Sequence, residues 1–402
     1  MIKQFTQSNK QNKHRCHFNN KIISSIIIIM VSITWSIYYV ITRITDEDVK
    51  MKSQVTTDNR IHIVILFDGD IGLQYLNSLL KSIFYHQNGR FRCDLNNCCQ
   101  SHFCNRFIDN CHSYSNNMLN SSSIVFHFLI STISSNNGLL NLMNTWKLRN
   151  MEYHFYTCSK YLEDLKWISS RHSSGSKPFL KLMLTKILPS SISKVIVLDI
   201  DILLNADITE LWNHFNNFGE NQSIGIGLEQ NPHFNTVMSK LISEWKGYGY
   251  NNGVMLFDLS KLRLTPWNEL WMLRTKEALD RQGYLVTGEQ DILNIMLFEL
   301  KHILYELPCV WNVQLSSGAN ESQCPISWLS DIELTKRNYS TIYKQPKLLH
   351  INHHMKPNDV TLQNINTEFT DQSDVMLQSQ KIYDKFVSVY RQYTSLNESC
   401  FQ

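Results

Sequence analysis

The chain has 402 residues, of which 43% are apolar, 11% aromatic and 18% charged, and its formal net charge is +3. A chain of this size and composition can bury one large core. The near-neutral charge gives no support to nucleic-acid binding by bulk electrostatics, so nucleic acid is not an expected partner.

An uncharged, isoleucine-rich segment of 21 residues, 22–42, lies near the amino terminus. As a helix it would reach roughly 30 Å, the thickness of one hydrocarbon core. Five basic residues and no acidic residue precede it, whereas Asp46, Glu47 and Asp48 follow it. The charge bias predicts a cytosolic tail at 1–21, a transmembrane signal anchor at 22–42 and a luminal remainder. A buried core helix is the alternative.

The rest of the sequence fits a luminal location. Nine of the ten cysteines follow the predicted span, where disulfides can persist, and Cys309 and Cys324 are a candidate pair. Five N-x-[ST] sequons also follow it, at Asn120, Asn221, Asn320, Asn338 and Asn397. These sequons are sites at which a luminal chain can be glycosylated.

Apolar runs and helical spacings alternate after a polar stem at 43–59. They predict strands at 61–67, 124–130 and 152–156 and helices at 75–86 and 139–146. This alternation is typical of an α/β sheet built from βαβ units. Between the first two strands, 91–122 carries five cysteines without the paired spacing of a zinc knuckle. We expect a disulfide-tied surface loop there.

Four apolar, mostly β-branched residues, 195–198, precede two aspartates, Asp199 and Asp201. The run predicts a strand buried on both faces inside a parallel sheet. A buried strand cannot hold two unpaired charges in its interior, so the carboxylates must lie at its carboxyl end, where open α/β sheets bind ligands. Their hard oxygens suit Mg²⁺ or Mn²⁺. A strand-end turn or a helix cap is the alternative for this motif alone.

Three further segments carry polar residues at the ends of predicted elements. A helix between Pro178 and Pro189 carries Lys181, for which a solvated helix lysine is one interpretation. The segment 247–258 predicts a Gly-rich turn leading into an apolar strand, and a simple turn at Asn251-Asn252-Gly253 is the alternative. The segment 288–294 opens a helix with acidic residues at its amino end, for which helix capping is the alternative.

These motifs resemble glycosyltransferase family 8, and most closely the first, xylosyl-transferring domain of LARGE-type proteins. The loop 308–315, Pro-Cys-Val-Trp-Asn-Val-Gln-Leu, favours that subgroup. The resemblance covers roughly residues 60–395. It implies a Rossmann-like mixed-sheet α/β domain of the glycosyltransferase A type, in which the cysteine-rich stretch 91–122 is an insertion.

The resemblance also implies a metal and diphosphate site. Asp199, Asp201 and His350 would hold Mn²⁺, and Lys356 would bind the diphosphate of a UDP-sugar donor. Lys181 would reach the aspartates or the donor. His350 and Lys356 belong to a His-x-x-Gly-x-x-Lys-Pro motif in which His353 replaces the usual glycine.

The remaining implied roles concern the nucleoside and the sugar. The turn after the first strand receives the uracil and ribose in the family; Asp68-Gly69-Asp70 stands there, and Asp70 is the residue assigned to the donor. Asn251 and Gly253 would line the sugar pocket. Glu289 and Gln290 would contact the sugars at the reacting carbon. Asp291 would be a second contact or support the helix cap.

The implied activity is Mn²⁺-dependent, retaining transfer of xylose from UDP-xylose to a glycan or glycoprotein acceptor. The enzyme would be a single-pass type II Golgi membrane protein with a luminal catalytic domain. Use of another UDP-hexose is one alternative. A sugar- or UDP-binding pseudoenzyme that serves a partner transferase is another, and a membrane-tethered structural protein is a third. Since the chain ends near where a LARGE-type second transferase domain would begin, we expect only the first activity.

Overall fold

The computed structural model describes residues 60–69, 72–87, 91, 122–133, 136–146, 148, 151–316, 318–327, 329, 331–352, 356–357 and 379–401. The predicted tail, span and stem, most of the cysteine-rich stretch, His353 and Asp70 lie outside these residues. Within the described part of the chain, no helix has both the length and the apolar character needed to cross a membrane.

The strands of the described chain fall into a large and a small sheet. The large sheet contains β1 (Ile61–Leu66), β2 (Ile124–Ile130), β3 (Met151–Thr157), β4 (Lys194–Leu198), β6 (Ile224–Leu228), β7 (Tyr250–Asp258) and β8 (Leu304–Glu306). The small sheet contains β5 (Ile202–Leu204), β9 (Val313–Gln314) and β10 (Leu348–His350).

The large sheet is mixed and runs in the order β3-β2-β1-β4-β7-β6-β8. Strands β3, β2, β1 and β4 are parallel, whereas β7 is antiparallel to both of its neighbours, β4 and β6. The chain leaves β1 for β2 on one side and reaches β4 on the other, so the carboxyl ends of β1 and β4 meet at a topological switch point. Open α/β sheets bind their ligands at this kind of crevice.

The small sheet brings together segments that are distant in the chain. Strand β10 pairs antiparallel with β5 and parallel with β9, which places His350 opposite Ile202 and Gln314. The backbone N–H of Ile351 donates to the carbonyl of Asp201 at 2.9 Å. Because β5 begins directly after Asp201, this pairing carries His350 to the end of β4.

Helices cover both faces of the large sheet. They are α1 (Leu73–Tyr85), α2 (Asn137–Thr145), α3 (Ser159–Asp164), α4 (Leu184–Ile187), α5 (Ile208–Asn213), α6 (His233–Leu241), α7 (Leu259–Arg263), α8 (Trp267–Gln282), α9 (Glu289–Glu299), α10 (Asp331–Lys336) and α11 (Ser379–Ser395). Ile63 and Ile65 of β1 face a core shared with α1, α2 and α11. Val64, on the opposite face, packs in a core shared with α6, α8 and α9.

The predicted strands and helices agree with the structure to within two residues for β1 to β3, α1 and α2. The helix expected between Pro178 and Pro189 is present, as a 3₁₀ segment, Lys177–Met183, followed by the single α-helical turn α4. The alternative of a simple turn at residues 251–253 is wrong, because these residues lie inside β7. The predicted Cys309–Cys324 disulfide is confirmed, with the two Cα atoms 5.7 Å apart.

Candidate active site

Two carboxylates and one imidazole converge where β4 ends. Nε2 of His350 lies 3.8 Å from Oδ2 of Asp199 and 3.5 Å from Oδ1 of Asp201. One ligand atom from each residue lies within 4.8 Å of the other two, the only such group of three metal-ligating side chains in the described residues. Carboxylate oxygens and an imidazole nitrogen are ligands of divalent metals. The three residues predicted from the sequence as metal ligands therefore fit a divalent metal.

Strand pairing holds this group in place. The backbone N–H of Asp199 donates to the carbonyl of Gly253 in β7 at 2.9 Å, which anchors the end of β4. Both aspartates are partly exposed, whereas His350 is buried. The site thus combines a rigid buried ligand with two carboxylates that face the crevice.

Lys181 lies in the interior of this site, only 3% exposed. Its ammonium group is 2.7 Å from Oδ1 of Asp199 and 3.4 Å from Oε1 of Glu289. Burial opposes the charge on Lys181, but the two carboxylates outweigh burial and raise the pKa above its ordinary value. The solvated-lysine alternative is therefore wrong, and Lys181 lies between the predicted metal ligand Asp199 and the predicted sugar contact Glu289.

Lys356 also lies against a predicted metal ligand. Its ammonium group donates to Oδ2 of Asp201 and to the carbonyl of Ile351, both at 2.6 Å. Burial acts to raise the pKa of Asp201, but His350 and Lys356 outweigh burial and lower it. Lys356 is thus a cation at the edge of the predicted metal site.

Glu289 and Gln290, the first two residues of α9, face β7. The side-chain amide of Asn252 donates to Oε1 of Glu289 at 2.7 Å, and its backbone N–H donates to Oε1 of Gln290 at 3.3 Å. Burial raises the pKa of Glu289, and the nearby charge of Lys181 offsets only part of this rise. A buried carboxylate of raised pKa beside a lysine is typical of a reacting site.

Asp291 is turned away from these groups and towards the turn that precedes α9. Its carboxylate accepts from the backbone N–H groups of Val286 (2.7 Å) and Thr287 (3.0 Å) and from the Thr287 hydroxyl. Gly288 lies between Thr287 and Glu289. Its φ of 70° is a left-handed conformation that glycine adopts without strain. The carboxylate of Asp291 therefore holds the turn from which Glu289 and Gln290 emerge.

A layer of buried amides and one carboxylate lies behind the predicted sugar pocket. Glu229 accepts from the side-chain amides of Asn251 (2.9 Å) and Gln290 (3.1 Å) through one oxygen. Asn312 bonds to both Asn251 and His350. The sequence assigned no role to Glu229, Asn252 or Asn312. The signal for Asn312 was a polar residue within the otherwise apolar segment 310–313.

In the turn after β1, the carboxylate of Asp68 is paired with neighbouring side chains. Asp68 forms an ion pair with Lys177 and accepts from the hydroxyl of Ser131. Burial raises the pKa of Asp68, but Lys177 and Ser131 outweigh burial and lower it. The backbone N–H of Gly69 donates to the side-chain oxygen of Asn136 at 3.1 Å. Lys177 therefore neutralises Asp68 at the switch point.

The fold and the site together define a class. A mixed α/β sheet with an Asp-x-Asp pair and a histidine at its switch point is the arrangement of a glycosyltransferase A domain. The profile of glycosyl transferase family 8 matches residues 98–359, and the chain belongs to that family. Enzymes of this family typically use a divalent metal with a sugar donor and an acceptor.

The curated relatives of this chain include LARGE proteins. The chain is 36% identical to the xylosyl- and glucuronyltransferase LARGE2s of Danio rerio over 215 residues, 53% of this chain and 28% of that protein. It is 36% identical to LARGE1 of Homo sapiens over 203 residues, 50% of this chain and 26% of that protein. The aligned region thus covers little more than a quarter of the length of these relatives.

Solved structures show the same fold. Mouse xyloside xylosyltransferase 1 in its apo form matches with a TM-score of 0.50 at 20% identity, over 73% of this chain and 98% of that one. The bifunctional glycosyltransferase WbbM matches with a TM-score of 0.50 at 16% identity, over 85% of this chain and 50% of that one. At these identities the likeness establishes the fold alone.

Proposed function

We propose that this chain is a Mn²⁺-dependent glycosyltransferase that transfers xylose from UDP-xylose, with retention of configuration, to a glycan or glycoprotein acceptor. The observation that supports it most is the convergence of Asp199, Asp201 and His350 at the switch point of the sheet. The similarity to LARGE xylosyl- and glucuronyltransferases supports xylose as the transferred sugar.

The chain's own residues supply charge and position. When bound by Asp199, Asp201 and His350, Mn²⁺ would act as a Lewis acid that offsets the charge of the departing diphosphate. Lys356, at the rim of the site, is placed to bind a phosphate oxygen as a point charge. Lys181 holds Asp199 and Glu289 in fixed positions from the interior. A preorganised arrangement of this kind needs little rearrangement during reaction.

Gln290 and Glu289 would stabilise positive charge at the anomeric carbon. Both emerge from the Gly288 turn and are fixed by Asn252, so their oxygens are oriented before substrate binds. The acceptor would attack from the face that UDP leaves, which gives retention. Asn251 and Gly253, in β7, lie beside these groups and would line the same pocket.

The location in the cell is part of the proposal. We propose a single-pass type II Golgi membrane protein anchored by residues 22–42, with the catalytic domain in the lumen. The charge bias around that segment supports this orientation. The Cys309–Cys324 disulfide fits an oxidising compartment. Protection of the domain from protease in intact microsomes, and its digestion after detergent is added, would test this topology.

The activity is tested by measuring UDP release from a panel of UDP-sugars by the purified full chain, with and without Mn²⁺. We expect UDP-xylose to be the preferred donor and Asp199→Asn and Asp201→Asn to abolish release. Asp164→Asn, which changes an exposed aspartate of α3, is the matched control and should retain activity. No UDP binding in Mn²⁺ would contradict any UDP-sugar role. Binding without turnover across acceptors would indicate the pseudoenzyme.

A further inference from the structure

A chain of buried hydrogen bonds runs from the predicted metal ligand His350 to the predicted catalytic Gln290. It passes through Asn312, Asn251 and Glu229, in that order. Their exposed fractions are 0% for Asn312, 5% for Asn251 and 4% for Glu229. Water has little access to these groups, so each amide must find its partners within the chain.

The backbone determines which way the Asn312 amide faces. Nδ2 of Asn312 lies 3.2 Å from the backbone carbonyl of Asn251, which can only accept a hydrogen bond. The same nitrogen lies 3.0 Å from Oδ1 of Asn251. That atom is an oxygen because the backbone N–H of Gly253 donates to it at 3.1 Å. The reverse orientation of Asn312 would bring its oxygen against two other oxygens.

The far end of the chain agrees with this polarity. Nδ2 of Asn251 donates to Oε2 of Glu229 at 2.9 Å, which places the amide nitrogen of Asn251 and not its oxygen against that carboxylate. Gln290 donates to the same oxygen at 3.1 Å. Glu229 thus fixes the amide orientation of Asn251 from one side, while Gly253 fixes it from the other.

The orientation of Asn312 determines the state of His350. Oδ1 of Asn312 lies 3.2 Å from Nδ1 of His350. Because that oxygen only accepts, Nδ1 must carry a proton, which leaves Nε2 as the ring nitrogen that can bind a cation. Nε2 is the atom that faces Asp199 and Asp201. In the other tautomer, Nε2 would carry the proton and direct its N–H at the cation. The lone pair of Nδ1 would then face the lone pairs of Oδ1 of Asn312.

We propose that Asn312 is a positioning residue that holds His350 as the Nδ1–H tautomer, and so prepares Nε2 to bind the metal. This rests on the proposed metal site. Partners that orient a ligating histidine in this way typically affect metal affinity by about 10-fold to 100-fold. Asn312 contacts neither the predicted cation nor the substrate in this arrangement, and it acts through the imidazole.

The first measurement is Mn²⁺ binding to the full chain by electron paramagnetic resonance. We expect Asn312→Ala to weaken binding about 10-fold to 100-fold. Asn312→Asp keeps an acceptor for Nδ1, so it should bind Mn²⁺ more tightly than Asn312→Ala even though its second oxygen faces Asn251. Gln314→Ala removes a buried amide that bonds to Gln230 and Leu228 but not to the ring, and it should retain wild-type affinity.

The second measurement is the ¹⁵N spectrum of histidine-labelled, metal-free protein, with His350 assigned from the spectrum of His350→Ala. We expect Nδ1 of His350 to be protonated in the wild type and Asn312→Asp, and a tautomer mixture in Asn312→Ala. An unprotonated Nδ1 in the wild-type ring overturns the inference. So does unchanged Mn²⁺ affinity in Asn312→Ala when His350→Ala has lost binding. If the wild type binds no Mn²⁺, the proposed cofactor fails, while the ¹⁵N spectrum still tests the tautomer.

Discussion

The imidazole of His350 occupies the space into which any side chain at position 253 would project. A Cβ atom on Gly253 would lie 2.2 Å from Cε1 and 2.4 Å from Nδ1 of His350. Gly253 belongs to β7 in the large sheet, and His350 belongs to β10 in the small one. The absent side chain is therefore what lets the third predicted metal ligand reach the aspartates.

Gly253→Ala is predicted to displace the imidazole and to abolish Mn²⁺ binding while the large sheet still folds. The new methyl group would clash with the imidazole of His350, whose strand β10 is fixed between β5 and β9. The imidazole must therefore move away from Asp199. Calorimetry with Mn²⁺ and circular dichroism would measure binding and folding. Gly227→Ala, also in the large sheet but with no neighbour closer than 3.6 Å to its new methyl group, is the control. Wild-type affinity in Gly253→Ala would contradict this.

Glu229→Gln is predicted to lower turnover by about 10-fold to 100-fold, in the range of losses seen when an orienting partner is removed. One carboxylate oxygen accepts from both Asn251 and Gln290, and the other accepts from the backbone N–H of Asn231. An amide offers a single oxygen, so one donor must face an N–H₂ group. UDP release measures the change. Glu306→Gln, on an exposed residue, should leave turnover unchanged, and equal rates for both variants would refute the role of Glu229.

Asp68 is predicted to stabilise the folded chain near neutral pH and to lose this contribution in acid. Burial raises the pKa of Asp68, but Lys177 and Ser131 outweigh it, so the folded pKa lies below the ordinary value. The resulting stabilisation is present above the unfolded pKa, roughly 4, and is lost as the pH falls through the folded pKa. Asp68→Asn should therefore flatten the acid side of the unfolding free energy against pH, by at most about 1 kcal/mol since Lys177 is exposed. The unfolding free energy can be measured by urea titration at several pH values. An equal dependence on pH in Asp68→Asn and the wild type would exclude this prediction.

Breaking the Cys309–Cys324 disulfide is predicted to cost about 3 kcal/mol, the loop-closure value for a 15-residue separation. The bridge closes a loop that contains Asn312 and β9, so the small sheet should loosen first. Thermal unfolding of Cys309→Ser/Cys324→Ser would report the loss. Cys158→Ser alters a buried cysteine that forms no disulfide and controls for loss of a thiol. A melting temperature for the double variant equal to that of this control would contradict the estimate.

Arg263→Lys is predicted to destabilise the chain by about 1.5 to 3 kcal/mol, the range for hydrogen bonds to a charged group. The guanidinium donates to five backbone carbonyls in α4 and in the segment that joins α4 to β4, those of Thr185, Leu188, Pro189, Ser190 and Ile192. A lysine ammonium cannot reproduce this planar fork. Arg281→Lys, whose arginine donates to the single carbonyl of Leu241, should cost less in urea unfolding. A smaller loss for Arg263→Lys than for Arg281→Lys would disprove this.

Local sequence patterns were sufficient for several features of the chain. The apolar runs of β1 and β2 and the spacing of α1 depend on residues close together in the sequence, and their bounds were predicted closely. The Asp-x-Asp pair could be assigned to a strand end because two charges cannot lie inside a buried strand. Family membership also followed from the order of the motifs along the chain.

Only the tertiary structure decided which polar residues are buried together. The local sequence around Asn251 and Gly253 is also typical of a turn, yet both residues lie in β7. Their hydrogen-bond partners there are Glu229, Asn312 and the β4 backbone. Lys181 could be solvated or internal until Asp199 and Glu289 were found around it. A buried polar group is stable only beside its partners, and here these partners come from distant segments brought together by pairing between strands.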